Sequence, residues 1–223
     1  MDNLTLIIPA KNEAESLPIV LSELKKYNYK TDIVLHATDI DTIQAIKECE
    51  VNIVYQENFG YGDALIHGIK QCKTKYFCIF NADGSFNPFE IKKMHEALQA
   101  KKLDFIFASR YQASSGSEDD TIITLVGNYI FTYIGKIFFR LNISDILYTF
   151  VIGKTEQANI LNLKQKDFSF CVELPIKAKK MKMKLGCINS YERKRIAGKK
   201  KVNAFKDGFL ILKHMIRLFF MKL

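Results

Sequence analysis

Tryptophan is absent from the 223-residue chain, and prolines number only four. The five cysteines, Cys49, Cys72, Cys78, Cys171 and Cys187, are scattered, odd in number and form no CxxC pair. That pattern excludes a zinc ribbon and a disulfide framework and points to a reducing cytoplasm. None of the four histidines stands in a recognisable catalytic pattern. Leu4-Thr5-Leu6-Ile7-Ile8-Pro9 follows the N-terminus with no basic stretch or cleavage site, so no signal peptide is expected. No uninterrupted apolar run reaches about 18 residues, so no membrane-spanning helix is expected. Internal repeats and low-complexity linkers are also missing.

What is present suits one large α/β domain, and 48% apolar residues supply a full core. The net charge of +9 is unevenly placed: residues 164–223 carry 17 Lys/Arg against 4 Asp/Glu, and residues 1–163 carry 16 against 20. A basic last quarter can meet anionic lipid, a phosphorylated substrate or nucleic acid, or can be a solvated lysine-rich surface. No nucleic-acid motif accompanies it, so no nucleic-acid partner is expected.

Short apolar runs alternate with helical patterns. Leu4–Pro9, Thr31–His36, Val51–Tyr55, Tyr76–Phe80 and Leu103–Ser109 read as strands, and Glu13–Tyr27, Asp39–Cys49, Gly60–Cys72 and Pro88–Lys101 as helices. The alternation predicts a mostly parallel sheet with helices on both faces. Beyond it, Tyr111–Asp120 reads as a polar loop, Thr121–Phe139 and Phe168–Met183 as helices, and Gly186–Arg193 as a late strand. In the final helix, Asn203–Lys222, the residues Phe205, Phe209, Leu212, Ile216 and Phe219, with Leu223 just beyond, form an apolar stripe. That stripe either packs on the domain or lies in a membrane interface.

Ligands of open parallel sheets sit beyond the carboxyl ends of the strands. Four polar clusters fall there: Pro9-Ala10-Lys11-Asn12-Glu13, Asn58-Phe59-Gly60-Tyr61-Gly62, Asn81-Ala82-Asp83-Gly84-Ser85 and Ser109-Arg110. Asn81, Asp83 and Ser85 offer oxygen ligands of the kind that, completed by phosphate oxygens, suit Mg²⁺ or Mn²⁺. The same residue types also build plain turns. Asn12, Glu13 and Glu15 serve equally as a helix start. The glycines at 60 and 62 allow close approach of a ligand or of another backbone. Arg193, Arg195, Lys199, Lys200 and Lys201 around Ala197-Gly198 make a loop able to clamp phosphate.

In this order the clusters resemble the family 2 glycosyltransferases of GT-A fold, in particular the dolichol-phosphate and polyprenyl-phosphate mannosyl- and glucosyltransferases. Leu6–Glu13 resembles the opening strand and donor motif, and Asn58–Ala64 with Gly68 the N-x-G-x-G-x-A…G segment. Asn81–Ser85 before Pro88 is similar to the DxD metal motif, and Ala108-Ser109-Arg110-Tyr111 to G-S-R-Y. Asp145–Phe150 resembles D-x-x-x-G-F, Glu173 a carboxylate on the next helix, and Tyr191–Lys201 with Asp207-Gly208 the segment Y…R-x-x-G-x-S-K…D-G.

The resemblance implies a single GT-A domain over 1–223, with a nucleotide-sugar half at 1–110, an acceptor half at 111–201 and an amphipathic helix at 202–223. It implies donor contacts from Pro9, Ala10, Lys11, Glu13, Asp39, Asn58, Gly62, Asn81 and Ala82. Metal would fall to Asp83, Asn81 and Ser85, and phosphate or acceptor to Arg110, Arg195, Lys199 and Lys201. Asp83, Asp145 and Glu173 are the implied catalytic carboxylates. Mg²⁺ or Mn²⁺ is the implied cofactor, with a GDP- or UDP-linked hexose as donor and a polyprenyl phosphate as inverting acceptor. The enzyme would then sit in the cytoplasm, peripheral to the inner face of the cell membrane, and a homo-oligomer is compatible with this. Transfer to a sugar hydroxyl, needing Asp145 or Glu173 as base, and a non-catalytic nucleotide-sugar-binding paralogue are the rivals. The chain departs from the family pattern in four places. Leu35-His36-Ala37-Thr38-Asp39 stands where two aspartates are usual, Asn81 where the first metal aspartate is usual, Thr149 for glycine, and Lys200 for serine.

Overall fold

The computed structural model describes residues 3–198 and 200–222. Seven strands form the main sheet: β1 (Leu4–Pro9), β2 (Lys30–His36), β3 (Asn52–Gln56), β4 (Tyr76–Ile79), β5 (Phe105–Ser109), β7 (Val151–Lys154) and β8 (Leu185–Asn189), in the order β3-β2-β1-β4-β7-β5-β8. A two-stranded ribbon pairs β6 (Gly116–Ser117) with β9 (Tyr191–Glu192). The helices are α1 (Leu17–Leu24), α2 (Ile40–Ala45), α3 (Tyr61–Gln71), α4 (Phe89–Ala100), α5 (Ile122–Phe139), α6 (Thr155–Ile160), α7 (Phe170–Lys180) and α8 (Ala204–Phe220). The sheet is mostly parallel, as the alternation predicts; β7 alone runs antiparallel, between β4 and β5.

Strand side chains alternate between faces, so a strand buried on both sides reads as a continuous apolar run. In β1, Ile7 joins one core with Val34, Phe77, Ile79, Phe107 and Val151, beneath α3, α6, α7 and α8. Leu4, Leu6 and Ile8 join the other with Ile33, Leu35, Cys78 and Ile106, beneath α1, α2 and α4. Gly68 shows how tightly α3 seats. A Cβ there would meet Ile7 Cγ2 at 2.5 Å and Val34 Cγ2 at 2.9 Å. Gly68→Ala is therefore expected to destabilise by about 1–3 kcal/mol through overpacking, read as a lower urea midpoint at unchanged slope.

Several boundaries differ from the sequence reading, for local reasons. Asn12 is not a helix cap. It sits in the left-handed region at φ 52°, its N–H held by Asp39 Oδ2 at 2.7 Å, and α1 starts only at Leu17. The late strand breaks at Ser190, whose hydroxyl donates to Glu90, and continues as β9. Strand β7 and helix α6 went unread, because four strand residues followed directly by a six-residue helix give too little periodicity.

Two corrections concern the apolar helices. By length and composition α5 could cross a membrane: its 18 residues include one charge, Lys136. The expectation that no segment is long and apolar enough thus fails. Only 22% of this helix is buried. In α8 the buried face is Ile211, His214, Met215 and Leu218, and the stripe Phe205, Phe209, Leu212, Ile216 and Phe219 is exposed, by 81% at Phe205. Leu223 lies outside the described residues.

Candidate active site

All five strands β1 to β5 end on the same edge of the sheet. Antiparallel β7 has its amino end there, which brings the 145–150 segment to that edge, and β8 delivers the basic 191–202 segment to it. A cleft of about 700 Å³ opens along this edge.

Of the expected residues, Pro9, Ala10, Lys11, Glu13 and Asp39 line it from β1 and β2. Asn81, Ala82, Asp83 and Ser85 line it from β4, and Arg110, Arg195 and Lys201 from the far side. Asp83 Oδ1 accepts the Ser85 backbone N–H at 3.0 Å, and the Asn81 amide lies 3.3 Å from the Ser85 hydroxyl. Gly84, at φ 81°, makes the turn, and a Cβ there would strike Ile196 Cδ1 at 2.4 Å. Residue 84 therefore has to be glycine for the basic segment to lie across the turn, where the Ile196 N–H donates to the Asp83 carbonyl at 2.8 Å.

Cations of that segment fill the carboxylate sites. Arg195 donates two hydrogen bonds to Asp119, at 3.1 and 2.8 Å, and its Nη1 lies 3.5 Å from Asp83 Oδ2. Lys200 pairs with Asp119 at 3.3 Å. Lys201 pairs with Glu13, whose other oxygen accepts from Ser16 at 2.6 Å. Burial works against the Asp119 carboxylate, but the hydrogen bonds and charge of Arg195, with Lys200, hold its pKa below the ordinary value. Such a clamp is complete above the ordinary carboxylate range and opens only as pH falls through the depressed value. Lys199 lies outside the described residues.

Arg110 is the hub of the other wall. Its Nε and Nη2 reach Asp145 at 2.7 and 3.1 Å, and Nη1 reaches Glu192 at 3.0 Å and Asp120 at 3.3 Å. Its guanidinium lies 4.5 Å from the centroid of the Tyr148 ring. Burial disfavours the charge, yet the field and hydrogen bonds of Asp145 raise the arginine pKa further. Burial pushes the Asp145 carboxyl up against the pull of Arg110. Bidentate and charge-assisted, this pair is of the strong kind, and Nη2 keeps a second N–H beyond its bond to Asp145.

Four expected residues stand apart from the cleft lining. Asp145 is wholly buried and fastened to Arg110. Glu173 is 1% exposed; it accepts the Lys164 and Gln165 N–H groups and pairs with Lys177 at 2.7 Å, which ties down the 164–165 loop. The oxygens of Asp145 and of Glu173, the two alternative bases for a sugar-hydroxyl acceptor, are taken by internal donors away from the cleft lining. Asn58 hydrogen-bonds Asp63. A Cβ on Gly62 would lie 2.1 Å from the Gln165 carbonyl, so that glycine serves backbone packing.

The sequence assigns no individual role to His36 or Phe59, though both stand in segments it singles out, nor to Asp119 or Asp120, and all four line the cleft. An acidic pair directly before the Thr121 cap was the one available signal for Asp119 and Asp120. Nothing in the sequence signals that Phe59 meets His36.

A family model described as glycosyl transferase family 2 matches residues 5–158. The chain belongs to that family. A protein of Methanocaldococcus jannaschii described as uncharacterized is 28% identical over 192 residues, covering 82% of this chain and 79% of its own. The UDP-N-acetylglucosamine–dolichyl-phosphate N-acetylglucosaminyltransferase of Methanococcus voltae is 24% identical over 205 residues, covering 81% and 82%. Among solved structures, glucosyl-3-phosphoglycerate synthase of Mycobacterium tuberculosis, in complex with Mn²⁺, UDP and phosphoglyceric acid, superposes with a TM-score of 0.71 at 11% identity. That match covers 99% of this chain and 79% of the synthase. The mannosyl-3-phosphoglycerate synthase of Rubrobacter xylanophilus gives 0.68 at 12% identity, over 97% and 72%. The chain is a glycosyltransferase, and its sheet and flanking helices are those of the GT-A fold.

Proposed function

We propose that this glycosyltransferase moves a hexose, with inversion, from a nucleoside diphosphate sugar to a polyprenyl phosphate at the inner face of the cell membrane. One observation carries the reading. Ile123, Val126 and Ile130 of α5 and Phe205 at the start of α8 line the cleft and are also exposed. The apolar outer face of both helices thus runs without a break into the polar site. Lys206, Lys213 and Arg217 are exposed beside it and suit anionic headgroups. A soluble glycan acceptor has no use for such a face. The Methanococcus voltae relative, by its name, uses dolichyl phosphate.

The acceptor chemistry agrees. A phosphate oxygen is already anionic at neutral pH and needs little help from a base. It would attack the anomeric carbon as the bond from that carbon to the diphosphate breaks. Arg110, Arg195 and Lys201 would orient the two phosphates and oppose the charge that builds on the leaving group.

Asp83, Asn81 and Ser85 meet in one turn, the Asn81 side-chain nitrogen donating to the Ser85 hydroxyl and the Ser85 N–H to Asp83, and each of the three side chains carries an oxygen that could ligate. That set fits Mg²⁺ or Mn²⁺, which bind through one or two carboxylates completed by phosphate and water. Among the described residues no three His, Cys, Asp or Glu side chains converge on a common point, so the diphosphate itself would complete the site. When bound, the ion supplies positive charge to the diphosphate. The Mycobacterium tuberculosis neighbour holds Mn²⁺ and UDP.

Purified protein given undecaprenyl phosphate and labelled UDP- or GDP-hexose is expected to form a chloroform-soluble product. Phe205→Ser with Phe209→Ser should cut that yield about tenfold on vesicles, leaving transfer to a short prenyl phosphate in detergent unchanged. No lipid product with any common donor would overturn the reading.

A further inference from the structure

Tyr61 opens α3 and Thr149 stands just before β7, and both line the cleft. The Tyr61 hydroxyl lies 2.6 Å from the Thr149 hydroxyl, and Thr149 is buried. Each hydroxyl brings one proton and two lone pairs. One proton lies between the two oxygens, and the second has no partner among the described residues. Tyr61 is held firmly. A Cβ on Gly60 would lie 2.1 Å from the Lys166 carbonyl oxygen and one on Gly62 2.1 Å from that of Gln165, so the backbone on both sides of Tyr61 is pressed against one loop. Just beyond that loop, the Phe168 ring stacks on the Tyr61 ring, with centroids 5.1 Å apart and planes at 23°. Burial raises the Tyr61 pKa, and the nearby Asp83 charge adds a smaller push, so the phenol keeps its proton.

The sheet order places this pair relative to the diphosphate turn. Strands β2, β1, β4 and β7 are successive neighbours. The Pro9–Glu13 segment and Asp39 lie on the β1–β2 side of Asp83, and Thr149 lies on the β7 side. A nucleoside diphosphate sugar with its diphosphate at Asp83 and its nucleoside on the β1–β2 side brings its hexose to Thr149 and Tyr61. We propose that the Tyr61–Thr149 pair is a specificity determinant for the sugar, holding one hexose hydroxyl through its second proton and its free lone pairs. The inference rests on the nucleotide-sugar reading of the cleft and adds the sugar contact to it. A sugar hydroxyl both donates and accepts, and the pair can meet it in both senses. A phosphate would use only the proton, and a prenyl chain neither. A site that bonds a substrate hydroxyl rejects the analogue lacking it, because its own group is then left unpaired.

Calorimetric titration of the full chain with UDP-glucose and UDP, and with GDP-mannose and GDP, each with Mg²⁺, tests this. Tyr61→Phe and Thr149→Val each keep the shape of the side chain and remove one hydroxyl. Each is expected to weaken the nucleotide sugar that the natural chain binds about tenfold, and the matching nucleoside diphosphate by less than about twofold. The double variant should lose no more than about twofold beyond either single one, because loss of one hydroxyl already breaks the pair. Among the 2-, 3-, 4- and 6-deoxy forms of that donor, one should bind the natural chain about tenfold more weakly, and in Tyr61→Phe that penalty should vanish. Equal weakening of nucleotide sugar and nucleotide, no weakening of either, or no deoxy position that matters overturns the proposal, and so does failure of both nucleotide sugars to bind. If the sugar-specific loss holds and no prenyl phosphate is glycosylated, the acceptor reading alone fails. If prenyl phosphate is glycosylated and the loss is not specific to the sugar, this inference alone fails.

Discussion

Replacing Asp83 by asparagine is expected to lower kcat/KM about 100- to 1,000-fold with little change in melting temperature. The substitution keeps the size of the side chain and the oxygen that accepts the Ser85 N–H, so the turn and its glycine survive. It removes the one negative charge of the Asn81–Ser85 turn. If that charge holds a cation against the diphosphate, its loss removes stabilisation realised only as the leaving group departs, a term of about this size. Donor binding should also lose its dependence on added Mg²⁺ or Mn²⁺, measured by calorimetry with and without the ion. A rate within a few-fold of the natural enzyme would reduce Asp83 to a turn residue. Arg195, 3.5 Å from Asp83 Oδ2, sharpens the test. A cation arriving at Asp83 must displace or share with a guanidinium, so Arg195→Ala should tighten metal binding while it slows transfer.

The largest stability effect is expected at Arg110. Arg110→Met leaves the wholly buried Asp145 and the buried Glu192 without their counter-charge. Removing one partner of such a pair costs about 3–5 kcal/mol. The loss will depend on pH with a definite sign. Burial already raises the Asp145 carboxyl, and without the guanidinium it rises further. A carboxylate with a raised folded pKa takes up a proton on folding. The variant should therefore be least impaired near pH 4 to 5 and lose stability as pH climbs from the ordinary carboxylate value through the raised one. Urea unfolding at pH 5 and pH 8 checks this. Arg110→Met with Asp145→Leu removes both charges and should regain most of the loss without restoring transfer. An equal loss at both pH values would show that packing against Tyr148, not charge, is what Arg110 supplies.

Much of this molecule is written in local patterns. The apolar runs of β1, β2, β4 and β5 stand out because each strand is buried on both faces, and the four polar clusters stand out because each follows such a run. Their order along the chain was enough to indicate the family and the edge of the sheet at which to look. The turn at Asn81–Ser85 and the basic segment at 193–201 were both legible as possible phosphate machinery, since their residue types and positions are local properties.

What a side chain is paired with is not a local property. Asp145 and Glu173 look like catalytic carboxylates along the chain, yet each is consumed by a buried cation, one 35 positions away and one a helical turn away. The Phe205–Phe219 stripe has the spacing of a core face, and its exposure was decided by which side of α8 met α7 and α5. The meeting of His36 with Phe59, 23 residues apart, depended on β2 and β3 pairing side by side. The sequence by itself determined the parallel strands β1 to β5, the family and the place of the cleft, because hydrophobic periodicity and strand-end polarity act over a few residues. Only the tertiary structure decided which carboxylates are spent internally and which face of each amphipathic helix stays bare, because pairing energies depend on partners that the chain brings together across tens of residues.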